Sequence, residues 1–444
     1  MRRRWLAVAV AVGTAGVVAA SYLGWTDGRA PRGRAHRTGD GAVIAALPTD
    51  RAEVDRLIRG FEAQVRVAPN VAAFDFLGDL YLTRGRLTGD LTAYTQAAAA
   101  AERALAIAPR HEDARAVLAR TSLALHDFSR ARTLASEIVG DDPSRLDLVA
   151  VGGDASLELG DVDAARVALE AVASRAPGAA SVTARLARLA YVTGDAAQAA
   201  ALAARAETEA ASTGATGSVL SFYPALRGSF AFAVGRYDEA SACYERALRL
   251  APGDRVALAG MARVRAAQGR TDDAISLYER AAALVPEPAT MAALGDLYRI
   301  AGRDADARAA FATVEAVGRL QPAYGRAVAN YLSDHRRHVG DAVDRALAEL
   351  RAGRHDVFGH DAAAWALLAA GRVDDAVAEA RRALRYDTPD PLLRYHAGMV
   401  FAAAGDRRAA TRLLRSALAL SPHFDPVQAP RARAELRRLE KGEA

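Results

Sequence analysis

Along most of this chain apolar residues recur at helical spacing, in short runs broken by glycine and stopped by proline. From Asp50 onward, Val54, Leu57, Phe61 and Val65 fall three and four apart, on one face of a helix, and Pro69 ends the run. The stretch 223–252 is the best defined. Leu226, Gly228 and Ala231 mark one face of a first helix, Gly235-Arg236 supplies a turn, and Ala240, Tyr244 and Ala247 mark one face of a second. Gly235 suits the left-handed residue that ends a helix. Asp238 and Glu239 suit the positive end of the helix that follows.

The same pattern returns with a fixed period. Pro109, Pro143 and Pro177 stand 34 apart, as do Pro252 and Pro286, and Gly160 to Gly194, Gly235 to Gly269 and Gly371 to Gly405 keep that interval. Gly85 and His126 are placed at two further turns, 41 apart, and Gly194 to Gly235 is also 41. The seven extra residues fall around 88–92 and 212–217 and read as loops or lengthened second helices. The unit near 323–354 is the least regular, 389–422 is a clean last one, and 429–441 reads as a charged helix. One such helix pair cannot bury its apolar faces alone, so neighbours must stack on it.

This order of small and large residues resembles the tetratricopeptide repeat (TPR), and the likeness covers most of 70–425. It implies an all-α fold, an α-solenoid of about ten helix hairpins wound as a right-handed superhelix, capped by helices at 48–69 and 426–444. It further implies a non-catalytic interaction scaffold that takes a peptide or protein segment in a concave groove lined by the first helix of each unit. By register that groove would present Arg188, Tyr191, Phe232, Arg263, Trp365, Tyr395 and Met399. The family's carboxylate clamp uses Lys and Asn at such positions, and these are essentially missing here. The end with Trp365, Tyr395 and Met399 suits an apolar or helical peptide.

Ahead of the repeats, Arg2, Arg3 and Arg4 precede an uncharged run of 21 residues, Trp5 to Trp25. At 1.5 Å per residue this run is long enough to cross a hydrocarbon core of about 30 Å. Residues 1–25 therefore read as a signal peptide or a single transmembrane anchor, and 26–47 as a flexible Arg/Gly linker. The early arginines predict export, with the repeats outside the cytoplasm, membrane-tethered or secreted after cleavage.

Composition narrows the chemistry. Half the residues are hydrophobic (51%) and only 6% aromatic, which suits helices packed through small side chains. The net charge of +5 is accounted for by seven Arg against two Asp in the first 40 residues, so the remainder is neutral; with a single Lys, nucleic acid is not an expected partner. The lone Cys243 excludes an internal disulfide and a cysteine-built zinc site. The chain carries no phosphate-cradling loop, nucleophile elbow or zincin helix, so neither catalysis nor a cofactor is expected. What remains is histidine. His335 and His338 would share a helical face if that helix continues, and His355 and His360 follow close by; with Asp334, Asp341, Asp356 and Asp361 they give an alternative, an exported metal-handling protein.

Overall fold

The computed structural model describes residues 50–214 and 216–441, together with the backbone of 36–37 and 43–44. His36–Arg37 pairs antiparallel with Val43–Ile44. The rest of the stretch read as a linker, and the apolar run 5–25, lie outside the described residues. No helix among the described residues is long and apolar enough to cross a membrane.

The other regular elements among the described residues are helices. α1 (Arg51–Val67) is followed by ten antiparallel hairpins. The first five are α2 (Val71–Thr88) with α3 (Leu91–Ile107), α4 (Glu112–Ala124) with α5 (Phe128–Asp141), α6 (Leu146–Glu158) with α7 (Val162–Arg175), α8 (Ala180–Val192) with α9 (Ala196–Ser212), and α10 (Gly217–Ala233) with α11 (Tyr237–Leu250). The second five are α12 (Arg255–Ala267) with α13 (Thr271–Leu284), α14 (Pro288–Ile300) with α15 (Asp304–Leu320), α16 (Gly325–Asp334) with α17 (Val339–Arg351), α18 (Val357–Ala369) with α19 (Val373–Ala383), and α20 (Pro391–Ala403) with α21 (Arg407–Leu420). α22 (Gln428–Lys441) closes the array.

Local chemistry sets these boundaries. Asp50, Asn70, Asp90, Asp161, Asp195 and Asp254 each accept a hydrogen bond from a backbone N–H of the helix they precede, satisfying donors that have no partner within the helix. Small residues let the helices close on large ones. The Tyr244 ring fills the space where a Cβ on Gly228 or Gly260 would sit, and Phe311 does the same at Gly295. Gly228 thus admits a ring from the second helix of its own hairpin, and Tyr244 is fully buried.

Three expectations are refined. Gly85 is not a turn: α2 continues through it to Thr88, Tyr94 packs on it, and Gly89 (φ 73°) makes the bend. The extra residues went into longer helices, 18 residues in α2 and 17 in each of α3, α9 and α10, rather than into loops. In the irregular unit Arg336 (φ 48°), 34 residues after Gly302, takes the left-handed position that glycine holds elsewhere. His126 (φ 65°) does occupy a turn, as its spacing predicts.

The solenoid coils tightly enough to touch itself. Turns of the first half rest on loops of the second, 196 to 225 residues later. Thr388 donates to the Val192 carbonyl (2.6 Å), Arg385 donates to the carbonyls of Gly160 (3.1 Å) and His355 (2.9 Å), and His126 Nδ1 lies 2.9 Å from the Ala323 carbonyl. Farther along, the backbone N–H of His423 donates to the Tyr237 hydroxyl (2.9 Å). Val357, Ala383 and Leu393 join the apolar core of residues 157–233.

Candidate functional site

The first helices carry the inward-facing polar residues, and where the two halves of the coil meet these residues form a buried ionic cluster. Glu158, at the end of α6, pairs with Arg188 of α8 and reaches Arg354 (3.4 Å) and Arg326 (4.0 Å) from the other half. Arg326 also holds Asp356 (3.0 Å), Arg354 holds Glu349, and Arg185 holds Asp154 (2.8 Å). The Arg354 guanidinium lies 4.8 Å from the centre of the Phe128 ring. Burial raises the Asp154 pKa against the pull of Arg185, and burial with the nearby Arg326 lowers that of Arg354. Burial, reinforced by Arg354, pushes His126 down to about 3, so the ring is neutral in this seam.

The predicted groove residues lie on this inner face, and most are already engaged. Arg188 is bound to Glu158. Tyr191 stacks on Phe230 (4.9 Å) and its hydroxyl donates to Asp390 (3.2 Å). Phe232 is buried beneath the guanidinium of Arg263, 4.2 Å from its ring centre. Trp365 stacks on His396 (4.2 Å) and donates its indole N–H to Asp334 (2.9 Å), while Tyr395 is buried against Phe424 (5.7 Å). Only Arg263 and Met399 are half-buried. The expectation of an open lining was made from register within one hairpin, which says nothing of what the opposite wall or residues 421–428 deliver to the same space. Gln428 of α22, for example, donates to Asp334 (2.7 Å).

The four histidines are not arranged as expected. α16 stops at Asp334, so His335 sits beyond the helix and His338 takes a left-handed conformation (φ 43°) before α17; the two do not share a helical face. Arg336 breaks the helix between them, and that is the physical reason. His335 lies against Phe311 and Tyr331, 3.7 Å from Asp296, and burial brings it down to about 4. His360 is hydrogen-bonded to Glu379 (2.6 Å), with the His355 ring 5.6 Å away. Among the described residues the potential ligands that do gather in a group of three are Asp75, His111 and Asp113, with His111 engaged by the Asp75 carboxylate.

One surface escaped the sequence reading. Arg407, Arg408, Thr411, Arg412, Arg415 and Ser416 on the outer face of α21 line an open groove of about 720 Å³. All four arginines are exposed. The signal was present: α21 is the one second helix of the ten hairpins with no Asp or Glu. Averaging charge over the whole body concealed it.

Family models described as "Tetratricopeptide repeat" match residues 91–150, 152–215, 222–287, 259–323 and 362–425. Among solved structures, a thermophilic TPR protein of Thermus thermophilus is 22% identical, with 48% of this chain and 98% of that one covered and a TM-score of 0.37. The human IFIT1 dimer with PPP-AAAA is 14% identical, with 83% and 87% covered and a TM-score of 0.43. The Cut9-Hcn1 hetero-tetramer of APC/C is 14% identical, with 88% and 94% covered and a TM-score of 0.34. No curated protein matches.

Proposed function

Because the chain belongs to the tetratricopeptide-repeat family, we propose that it is a non-catalytic scaffold that holds a protein partner while exported and tethered by residues 5–25. Repeats of this kind are interaction modules, and the coarse role follows from them. The finer reading concerns where the partner sits. One observation carries it: Arg188, Tyr191, Phe232, Trp365 and Tyr395 already direct their rings and polar groups to partners in the same chain. A peptide laid along the inner face would have to break those contacts and leave buried charges unpaired, which is costly. The accessible edge of the groove is Arg263 and Met399, and the outer faces of the second helices need no rearrangement to be reached.

The test is diazirine cross-linking of the native chain in the cell envelope, with linked residues and the mature N-terminus identified by mass spectrometry. Links from exposed residues of second helices, or from Arg263 and Met399, to one protein are the expected result. Absence of any linked protein overturns the scaffold, links confined to Arg188, Tyr191, Trp365 and Tyr395 overturn the placement, and recovery from the cytosol overturns export.

A further inference from the structure

We propose that the outer face of α21 is a docking site for an acidic segment of a protein partner, an inference that rests on the scaffold reading and names the chemistry of what it binds. In the hairpins from α11 to α19 every second helix opens with acidic residues: Asp238 and Glu239, Asp272 and Asp273, Asp304 and Asp306, Asp341, and Asp374 and Asp375. Those charges suit the positive end of a helix. α21 keeps its acid at the N-cap, where Asp406 accepts from the Ala409 N–H, and its first turn carries Arg407 and Arg408 instead, placed against the helix dipole. The charge continues down one face through Arg412 and Arg415, and residues 407–441 as a whole carry nine Lys and Arg against three Asp and Glu.

Few of these arginines are neutralised within the chain. Arg415 pairs with Glu440 (2.8 Å) and Arg407 donates to the Glu440 carbonyl (3.2 Å). Arg408 and Arg412 have no ion pair among the described residues. Both line the groove together with Thr411, Ser416, whose hydroxyl accepts from Arg394 (2.6 Å), and Ala419.

The occupant follows from what the groove has and lacks. Guanidinium forks bind carboxylates in a bidentate manner, and four on one helix face match an Asp/Glu-rich stretch. The lining has no aromatic ring on which a base would stack. It has no bulky apolar side chain to enter a bilayer, as an interfacial helix requires.

The test uses the full chain, a fluorescent Glu/Asp-rich 12-residue peptide, a single-stranded oligonucleotide and phosphatidylserine vesicles, with the double variant Arg408→Glu/Arg412→Glu as control. The wild type is expected to bind the peptide, with affinity falling as salt rises, and the variant to lose at least tenfold. Because Arg408→Glu restores the charge that the helix dipole favours, the variant's Tm is expected to be unchanged or higher, which separates lost binding from lost folding. No peptide binding by the wild type, equal binding by the variant, or tighter binding of oligonucleotide or vesicles overturns the proposal. Cross-linking to a partner elsewhere on the solenoid, undiminished in the variant, overturns this site and leaves the scaffold standing.

Discussion

Around Glu158 four arginines, Arg185, Arg188, Arg326 and Arg354, are buried and each faces a carboxylate, whereas on α21 four arginines stand in solvent and, among the described residues, Arg415 alone of them pairs with one. Residue type is the same in both places; burial and pairing differ. Inside, guanidinium groups taken from water have to be matched by carboxylates, so the cluster serves the closure of the coil. Outside, water screens each charge, little stability depends on it, and the groups are free to meet a partner. Deleting charge should therefore have opposite consequences in the two regions. Glu158→Ala would take the buried carboxylate away from Arg188 and leave Arg354 with Glu349 on that side, and is expected to cost about 3–5 kcal/mol, the usual penalty for breaking one side of a buried pair. Urea unfolding measures this, and small-angle scattering should show a larger radius of gyration as the seam loosens. A variant as stable and as compact as the wild type would mean that the halves are held together elsewhere.

The turn glycines sharpen the same contrast. Gly160 (φ 81°) lies in the seam, where a Cβ would overlap the His355 carbonyl, while Gly269 (φ 75°) has open space around it. Both substitutions to Ala meet the left-handed backbone penalty of about 1–2 kcal/mol. Gly160→Ala also has to push the two halves apart, and is expected to cost about 2–4 kcal/mol in all. Thermal unfolding of the two variants side by side isolates the seam. Equal losses would argue that the contact between the halves adds nothing to stability.

The hairpins were legible because their signals are local. Gly235, Gly269 and Gly405 fall where a left-handed residue must end a helix, and Pro109 or Pro252 follows where the next helix cannot continue the last. Gly85 misled because a glycine beneath a ring looks, in sequence, like a glycine in a turn; only Tyr94 distinguishes them. The inner face was misread for a deeper reason. Whether Tyr191 or Trp365 faces a ligand depends on Asp390 and Asp334, and Asp390 lies nearly 200 residues from Tyr191. The pitch of the coil decides that approach, and no spacing rule encodes it. The α21 surface was legible in principle, since a helix without acids is visible once hairpins are compared one by one.

Asp334 gives the smallest and most specific measurement of the inner environment. Its Oδ1 accepts from the Trp365 indole and from Gln428, and burial raises its pKa to about 6, with Asp425 adding to the rise and His396 and Arg431 opposing it. The folded state therefore holds a proton that the unfolded chain releases near 3.8. Stability from this group is complete below that value and is lost as the pH climbs through about 6. Asp334→Asn keeps the accepting oxygen and removes the titration. Against the wild type, the variant should gain about 2 kcal/mol between pH 4 and pH 7. Denaturant curves across that range would show the two lines converging in acid and separating toward neutrality. Parallel lines would mean that the carboxylate is hydrated and that the wall carrying Trp365 is open to water after all, which would return that end of the groove to the surfaces a partner can reach.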